Sequence, residues 1–561
     1  MQDLAFSALS AVALRARSKL VAQTAQLEAT QAAFLRSLLE AHKDTAFGRK
    51  HGLADISTVE QFRERIPVRP YSAFEPYVQR MAHGEANVLV PDPLIYFNIS
   101  SGSTGKKKLI PVTKRSRRFL SRSSRAAVGF VFGAAVREKR PPGKMLFPIS
   151  SNSMGQTPSG IAFAPVSTSD MRLMDVLSRQ IFAYPFEAFQ ISDTTARYYV
   201  CLLFALRNQH LRTIGATFPV LALQLCTFLE RHAESLVQDI KTGQIADWLT
   251  LEPALRRILE RKWSAAPQRA LALQRTLSTQ GRLTPKAAWP NLSFMVTARG
   301  GTSDFYFERF PEYFGDLPVF GGTYSCAEGV LGISHDFNTD SVIPAIASAF
   351  IEFIPEDQWN EQHPKTVLPQ EVLLGQRYRI VFTNYSGFYR YDLGDVVEIS
   401  GFFEQAPLMT FKHRRGRVIS ASTEKTTEAH VIDAMQKLQQ QFDVVLENFC
   451  VTLSKDVIPA HYLVNIEVAA GSQLGNPQQF LQQFDETMKA RQKFYGIKRR
   501  DQIPPPRLRI LAPGSFEKLR LRMIQNGVTE AQLKFPHVSE DRDWLSCLAV
   551  VHEERLTGDG S

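Results

Sequence analysis

Cysteine is scarce and scattered. The chain has five in 561 residues, Cys201, Cys226, Cys326, Cys450 and Cys547. The count is odd and no C-x-x-C pair occurs, so neither a disulfide framework nor a cysteine zinc site is supported, and a reducing compartment, the cytoplasm, is expected. Long hydrophobic runs are missing too. No stretch approaches the roughly 20 apolar residues that span a bilayer. The apolar run Leu4 to Leu14 follows Asp3 and precedes Arg15, Arg17 and Lys19, the reverse of the charge order of a secretory signal. There is no basic tail either: the net charge of +11 arises from 66 basic and 55 acidic residues interspersed along the whole chain. Neither nucleic acid nor a membrane is therefore expected as a partner. Internal repeats and low-complexity tracts are absent, which excludes solenoid architectures.

What remains is an ordinary globular composition, 44% hydrophobic, 22% charged and 10% aromatic. Single cores stop growing near roughly 250 to 300 residues, so two or three folding units are expected. The densest basic clusters, Lys106 to Lys108, Lys114 to Arg118 and Lys412 to Arg417, lie beside the motifs described below. A polyanionic small molecule accounts for them as well as a nucleic acid does.

Periodicity predicts helix in the first fifty residues, with Leu27, Phe34, Leu35, Leu38 and Leu39 on one face. A strand over 94–99 feeds a polar, glycine-containing loop. A helix over 194–209, a strand over 211–218 and a helix through Leu221, Leu225, Phe228 and Leu229 predict a parallel sheet. Strands are also predicted over 293–298, 317–324, 350–354, 378–383 and 396–399, the last of them without intervening helices, so an antiparallel section closes the large domain. Beyond Ser420 the order helix, strand, strand, helix, strand, helix predicts a small α+β domain with its own core.

Three loops carry chemistry. The first is Ser100-Ser101-Gly102-Ser103-Thr104-Gly105-Lys106-Lys107-Lys108, in which glycines turn backbone N–H groups onto phosphate oxygens while hydroxyls and lysines add donors and charge. Only two residues separate its glycines, so it is not a Walker A loop; a solvated surface turn is the alternative. The second is Tyr324-Ser325-Cys326-Ala327-Glu328-Gly329. Glu328, at the carboxyl end of a strand, sits where open α/β sheets bind ligands and where a carboxylate can meet Mg²⁺ riding on nucleotide phosphates. An exposed edge glutamate is the alternative, and Cys326 reads as small buried filler. The third is Gly387-Phe388-Tyr389-Arg390-Tyr391-Asp392-Leu393-Gly394-Asp395. Asp395 can accept two hydrogen bonds from a ribose diol, and Tyr389 or Tyr391 can stack on a base. A tight hairpin whose aspartate caps its own turn is the competing reading.

In this order and at these distances the loops resemble the GH3 family of acyl-acid amido synthetases, auxin-responsive-like and of bacterial type, a branch of the adenylate-forming superfamily. The likeness covers nearly the whole chain. It extends to Gln61-Phe62 through Ile66-Pro67-Val68, Trp289-Pro290-Asn291-Leu292, Gly375-Gln376-Arg377-Tyr378, Ala512-Pro513-Gly514-Ser515-Phe516 and Gln532-Leu533-Lys534-Phe535-Pro536. The resemblance implies an α/β fold: a large N-terminal adenylate-forming domain over 1–420, with parallel sheets and a small β-barrel section, and a small mobile α+β domain over 421–561. It further implies that Ser100, Ser101, Gly102, Ser103 and Thr104, with Lys108, hold the phosphates of ATP, that Glu328 meets Mg²⁺, and that Tyr324 lies near the adenine. Asp395 would bind ribose with help from Arg414, and Lys425 and Lys534 would serve as the catalytic lysines. Two departures stand out: the first loop is one residue shorter than the plant pattern, and Ala327 replaces a usual serine.

The implied reaction forms an acyl-adenylate from a small carboxylic acid and ATP, then passes the acyl group to an amine or amino acid, with the protein acting as a monomer. The acyl pocket is expected on the helical stretch after the first loop and on Tyr184 to Phe186. An acyl-CoA ligase differs only in the acceptor, and a non-catalytic basic nucleotide- or nucleic-acid-binding protein is the reading from another class. A G-x-D-S carrier serine is absent, which argues against a self-contained peptide-synthetase module.

Overall fold

A computed structural model describes residues 2–101, 107–168, 178–301, 303–414, 418–422, 424, 426–457, 460–500, 502–525 and 533–556. The chain forms two compact units, Met1–Leu393 with Val397–Phe411, and Gly394–Val396 with Lys412–Ser561. Among the described residues no helix is long and apolar enough to cross a membrane.

Among the described residues the large unit is built on three sheets. Four strands, in the order Lys144–Leu146, Leu211–Gly215, Phe294–Val296 and Val319–Phe320, pair in parallel throughout. Leu211, Ile214 and Met295 are all fully buried, as expected of strands covered on both faces. The helix Thr194–Arg207 precedes the second of these strands, capped by Asp193, whose carboxylate accepts from the Ala196 N–H at 2.7 Å. It is buried from Ala196 through Leu206, and a helix apolar on every side belongs in a core.

A second sheet has the order Lys107–Thr113, Leu94–Ser101, Ala162–Ala164, Gly155–Gln156. The section expected as a small β-barrel is a seven-stranded sheet in the order Phe350–Pro355, Arg377–Thr383, Tyr391–Phe403, Ala406–Arg414, Ser341–Pro344, Gly329–Ser334, Thr323–Cys326. The apolar stripe of the helix Leu27–His42 packs into the core beneath this sheet: Phe34, Leu35, Leu38 and Leu39 are buried with Phe62, Phe350 and Phe382.

Two segments differ from expectation. The single strand predicted over 317–324 is two strands, Val319–Phe320 in the parallel sheet and Thr323–Cys326 in the seven-stranded sheet. Gly322, at φ +69°, lets the chain pass from one sheet to the other, a turn that a β-branched residue could not make. The basic cluster Lys114 to Arg118 is not part of an anion loop; it opens the 24-residue helix Lys114–Arg137. Thr113 and Ser116 form a reciprocal capping box there, at 3.1 and 3.0 Å, and Arg115 pairs with Asp92 at 2.7 Å.

The small unit follows the expected α+β order. Its sheet runs Leu446–Leu453, Tyr462–Val468, Arg507–Leu511, Val550–Arg555, with helices Glu428–Phe442, Pro477–Arg491 and Ser515–Gln525. The last strand carried no alternating signal, since Val550 and Val551 are both exposed.

Candidate active site

The strand Leu94–Ser101 delivers Ser100 and Ser101 to the start of the first loop. It returns antiparallel as Lys107–Thr113, with Ser100 opposite Lys108 and Ser101 opposite Lys107. Gly102, Ser103 and Thr104 lie outside the described residues. Lys108 sets its ammonium 5.2 Å from the centroid of the Tyr71 ring, a cation–π contact. The Tyr71 hydroxyl donates to the Leu109 carbonyl at 2.9 Å and accepts from the Leu109 N–H at 3.0 Å, and burial raises its pKa. Both backbone polar groups of Leu109, which face one edge of the strand, are thereby satisfied.

Glu328 is not at the end of a parallel strand. Cys326 pairs with Gly329 in the antiparallel hairpin of Thr323–Cys326 and Gly329–Ser334, so Ala327 and Glu328 form its two-residue turn. Nor is Glu328 an exposed edge residue, being 3% exposed. Burying an ionised carboxylate demands hydrogen bonds, and the Tyr391 hydroxyl donates to its Oε1 at 2.8 Å. Two amides hold the turn itself: Asn384 Nδ2 donates to the Glu328 carbonyl at 2.7 Å and Asn98 Nδ2 to the Ala327 carbonyl at 3.3 Å. Gly329 leaves room for this, because a Cβ there would stand 3.0 Å from Asn384 Nδ2. The strand of the first loop, the turn of the second and the approach to the third thus meet at one point. Asn98 and Asn384 carried no signal in sequence, since a lone asparagine in an apolar strand is chemically silent until its partners are known.

Among the described residues no group of three or more His, Cys, Asp or Glu side chains stands ready for a metal. A single buried carboxylate in a hydrogen-bonded turn does fit Mg²⁺ carried on a nucleotide, which takes one or two protein carboxylates and completes its shell with phosphate oxygens and water. It does not fit a resident all-protein cage.

In the third loop the tyrosines are not base-stacking platforms. Tyr389 is fully buried, its ring stacked on Phe47 at 4.3 Å and its hydroxyl 2.8 Å from His42 Nδ1. Burial depresses the His42 pKa to about 3, so that imidazole is neutral. Tyr391 is 1% exposed and spends its hydroxyl on Glu328. Arg390 holds a left-handed backbone, φ +47°. Its guanidinium bonds both oxygens of the buried Glu352 at 2.9 to 3.2 Å, the Thr366 hydroxyl at 2.8 Å and the Ile66 carbonyl at 2.7 Å. Gly387, at φ +87°, lies so close to Leu89 that a Cβ would come within 2.6 Å of the Leu89 Cβ. The loop is a rigid hairpin whose aromatic residues and arginine serve the core.

Tyr324 is half-buried, with its ring centroid 5.6 Å from that of Phe411. Cys326 is likewise half-buried, and its thiol donates to the Gly329 carbonyl at 3.4 Å.

In the small unit, Asp395 is 2% exposed and forms an ion pair with Arg414 at 2.5 Å. These two residues, 19 positions apart in sequence, meet directly. Lys425 lies outside the described residues. Its neighbour Glu424 is 1% exposed and accepts from the Ala421 N–H at 2.6 Å, the Ser422 N–H at 2.9 Å and the Tyr462 hydroxyl at 2.6 Å. Glu424 thus ties the backbone at Ala421 and Ser422 to Tyr462, contacts that sequence alone did not single out. Lys534 is half-buried between Leu533 and Phe535, which are 2% and 5% exposed and anchor the segment in the core with Phe516 and Leu519. The Ala512–Phe516 signature is held by Glu467, which accepts from the Gly514 N–H at 2.6 Å and the Phe516 N–H at 2.8 Å.

Tyr184, where the acyl pocket is expected, spends its hydroxyl on the backbone. It is buried, donating to the Phe147 carbonyl at 2.6 Å and accepting from the Phe147 N–H at 3.2 Å. With Pro185 and Phe186 it borders a cavity at the amino ends of the parallel strands.

Known proteins resemble the chain over nearly its whole length. The chain is 26% identical over 554 residues to the indole-3-acetic acid-amido synthetase GH3.5 of Arabidopsis thaliana, covering 91% of this chain and 89% of that protein. It is 27% identical over 545 residues to the indole-3-acetic acid-amido synthetase GH3.8 of Oryza sativa subsp. indica, covering 91% and 88%. In fold it is similar to the GH3.15 acyl acid amido synthetase, with a TM-score of 0.85 at 23% identity over 97% of each chain. It is more distantly similar to 2-hydroxyisobutyryl-CoA ligase in its postadenylation state, with a TM-score of 0.55 at 12% identity over 92% of this chain and 90% of that one. Family models match in order along the chain, the GH3 N-terminal domain over 16–319, the central domain over 342–414 and the C-terminal domain over 429–543. With the first of these alone spanning more than half its length, the chain belongs to the GH3 family.

Proposed function

We propose that this chain is an acyl acid amido synthetase that uses ATP to activate a carboxylic acid as its adenylate and then transfers the acyl group to the amine of an amino acid. The observation that carries this reading is the meeting of Asn98, the Ala327–Glu328 turn, Asn384 and Tyr391. It ties a hydroxyl-rich loop to a buried carboxylate, the pairing that phosphate chemistry needs.

Joining an acid to an amine in water is uphill, so the carboxylate must first acquire a leaving group. The acid's carboxylate oxygen attacks the α-phosphorus of ATP in line and pyrophosphate departs. The amine then attacks the carbonyl carbon of the mixed anhydride, loses a proton and displaces AMP. Ser100 and Ser101, with Gly102, Ser103, Thr104 and Lys108, orient the phosphates, and Tyr324 lies against the adenine. Asp395, with Arg414, takes the ribose diol. Glu328 would hold Mg²⁺, which neutralises phosphate charge and orients the leaving pyrophosphate. Lys425 and Lys534 supply positive charge, and the protein excludes water so that the anhydride survives.

We also propose the bacterial type on the shorter first loop, a monomer, and a cytoplasmic location, consistent with five free cysteines. Acids of the class named for the relatives, indole-3-acetic acid among them, head the substrate panel. Exchange of labelled pyrophosphate into ATP over that panel, followed by mass analysis with amino acids or CoA, tests the reading. An amide product is expected. A thioester alone would make the chain a CoA ligase, and no exchange with any acid would leave a non-catalytic nucleotide binder.

Asp395→Ala is expected to raise the apparent KM for ATP and abolish turnover with the melting temperature retained; normal turnover would remove the ribose assignment. The small domain is proposed to rotate about Ser420 to Lys425 between the two steps. An engineered disulfide across that segment should slow one half-reaction far more than the other, and equal rates for both steps would end the idea.

A further inference from the structure

Glu428 opens the helix Glu428–Phe442, three positions after Lys425, and is 4% exposed. Its Oε1 accepts from the backbone N–H of His537 at 2.7 Å, and His537 stands three positions after Lys534. One carboxylate thus joins two segments 109 positions apart, both within the small unit. Each side of this bond is fixed independently. Thr426 and Thr427 pair antiparallel with Ile419 and Val418, and the Tyr462 hydroxyl lies 2.8 Å from the Thr426 hydroxyl. On the other side the His537 ring stacks on Phe449, centroids 4.1 Å apart, and its Nδ1–H donates to the Phe449 carbonyl at 3.0 Å. The His537 carbonyl accepts from the Val451 N–H at 2.8 Å, and the Ser539 N–H donates to the Val451 carbonyl at 3.0 Å. Leu533 and Phe535 are buried in the core. Lys534 therefore leaves a backbone held on both sides of it.

A carboxylate in the first turn of a helix has a plainer explanation in the helix dipole. Two observations count against that as the whole account. The helix start has a cap of its own, in which the Thr427 N–H donates to His430 Nδ1 at 3.2 Å. The dipole also favours a carboxylate that stays in water, whereas Glu428 is taken out of it. A buried carboxylate is retained where donors are aimed at it, and His537 supplies one from a distant segment.

We propose that Glu428 is a positioning residue for the adenylation step: by holding the His537 N–H it sets where Lys534 presents its ammonium. The inference rests on the proposed role of Lys534 at the nucleotide. Glu428 touches no substrate in this scheme and acts through the backbone of 533–539. A charge that acts on the departing pyrophosphate contributes to the rate rather than to ground-state binding. Misplacing it therefore lowers kcat and leaves the KM for ATP alone.

The test is a double-mutant cycle on the full-length chain, read by exchange of labelled pyrophosphate into ATP with the acid of the panel that exchanges fastest. Glu428→Ala should lower kcat by about tenfold or more, with the KM for ATP within about twofold of the parent. In a Lys534→Ala background the same change should have no further effect, because the group it positions is gone. Glu428→Gln keeps an oxygen for the His537 N–H and removes the charge. Its exchange should stay within about threefold of the parent, where a dipole role alone would make it as slow as Glu428→Ala. Equal losses from Glu428→Ala in both backgrounds, a parent-like rate for that variant, or a Glu428→Gln as slow as it overturns the proposal. A parent with no exchange, or Lys534→Ala at the parent rate, overturns the functional reading, and this inference falls with it. Should Glu428→Ala fail to fold, Glu428→Asp, which keeps the charge and withdraws it by one methylene, takes its place in the same cycle.

Discussion

Glu328→Gln is expected to cut pyrophosphate exchange by about a hundredfold or more while leaving the melting temperature within a few degrees of the parent. The amide is isosteric with the carboxylate. It still accepts from the Tyr391 hydroxyl, and the backbone carbonyl still accepts from Asn384, so the turn keeps its shape. What disappears is one negative charge at a 3% exposed position. A charge that stabilises a departing pyrophosphate through a bound cation contributes on the order of 3 kcal/mol to the barrier, which is about a hundredfold in rate. Tyr391→Phe is the companion: it removes only the orienting hydrogen bond and should cost about tenfold. Raising Mg²⁺ should partly restore either variant at fixed ATP. Exchange within a few-fold of the parent for Glu328→Gln would show that this carboxylate does not serve the nucleotide.

Arg390→Met is expected to lower the unfolding free energy by about 3 to 5 kcal/mol, because it leaves a buried carboxylate without its cation. Glu352 is fully buried, and Arg390 bonds both its oxygens. Arg63 lies 3.6 Å from Glu352 and the Thr366 hydroxyl donates to it at 2.6 Å, so the loss should fall toward the lower end of that range. Removing the charge as well, with Glu352→Gln/Arg390→Met, should recover part of the stability, since the cost lies in the unpaired ion rather than in the absent bond. Urea titrations of the three variants measure this. A loss below about 1 kcal/mol for the single variant would mean that Glu352 is not held as an ion. The prediction also separates roles within the third loop, because Arg390 should affect stability where Asp395 affects nucleotide use.

The elements legible in sequence were those whose signal is local. The stripe of Leu27, Phe34, Leu35, Leu38 and Leu39 repeats every three or four residues, and it is buried as a stripe. The small α+β unit followed from alternating periods, except for Val550–Arg555, which has no buried face to leave a pattern. The strand over 317–324 was misjudged because Gly321 and Gly322 carry no side chain to mark a change of sheet. Lys114 to Arg118 suggested an anion site because charge is visible in a sequence, whereas a Thr113–Ser116 capping box shows only when both partners are seen bonded.

By itself the sequence determined the composition class, the order of helices and strands, the three polar loops and the family likeness, because each depends on residue types at short spacing. Tertiary structure alone decided which loop residues are buried and what they bond. Tyr389 and Arg390 are buried, Glu328 takes its hydrogen bond from a tyrosine 63 positions away, and Asn98 reaches a turn 229 positions away. Contacts at those separations are set by strand register and sheet order, and no local pattern of residues encodes either.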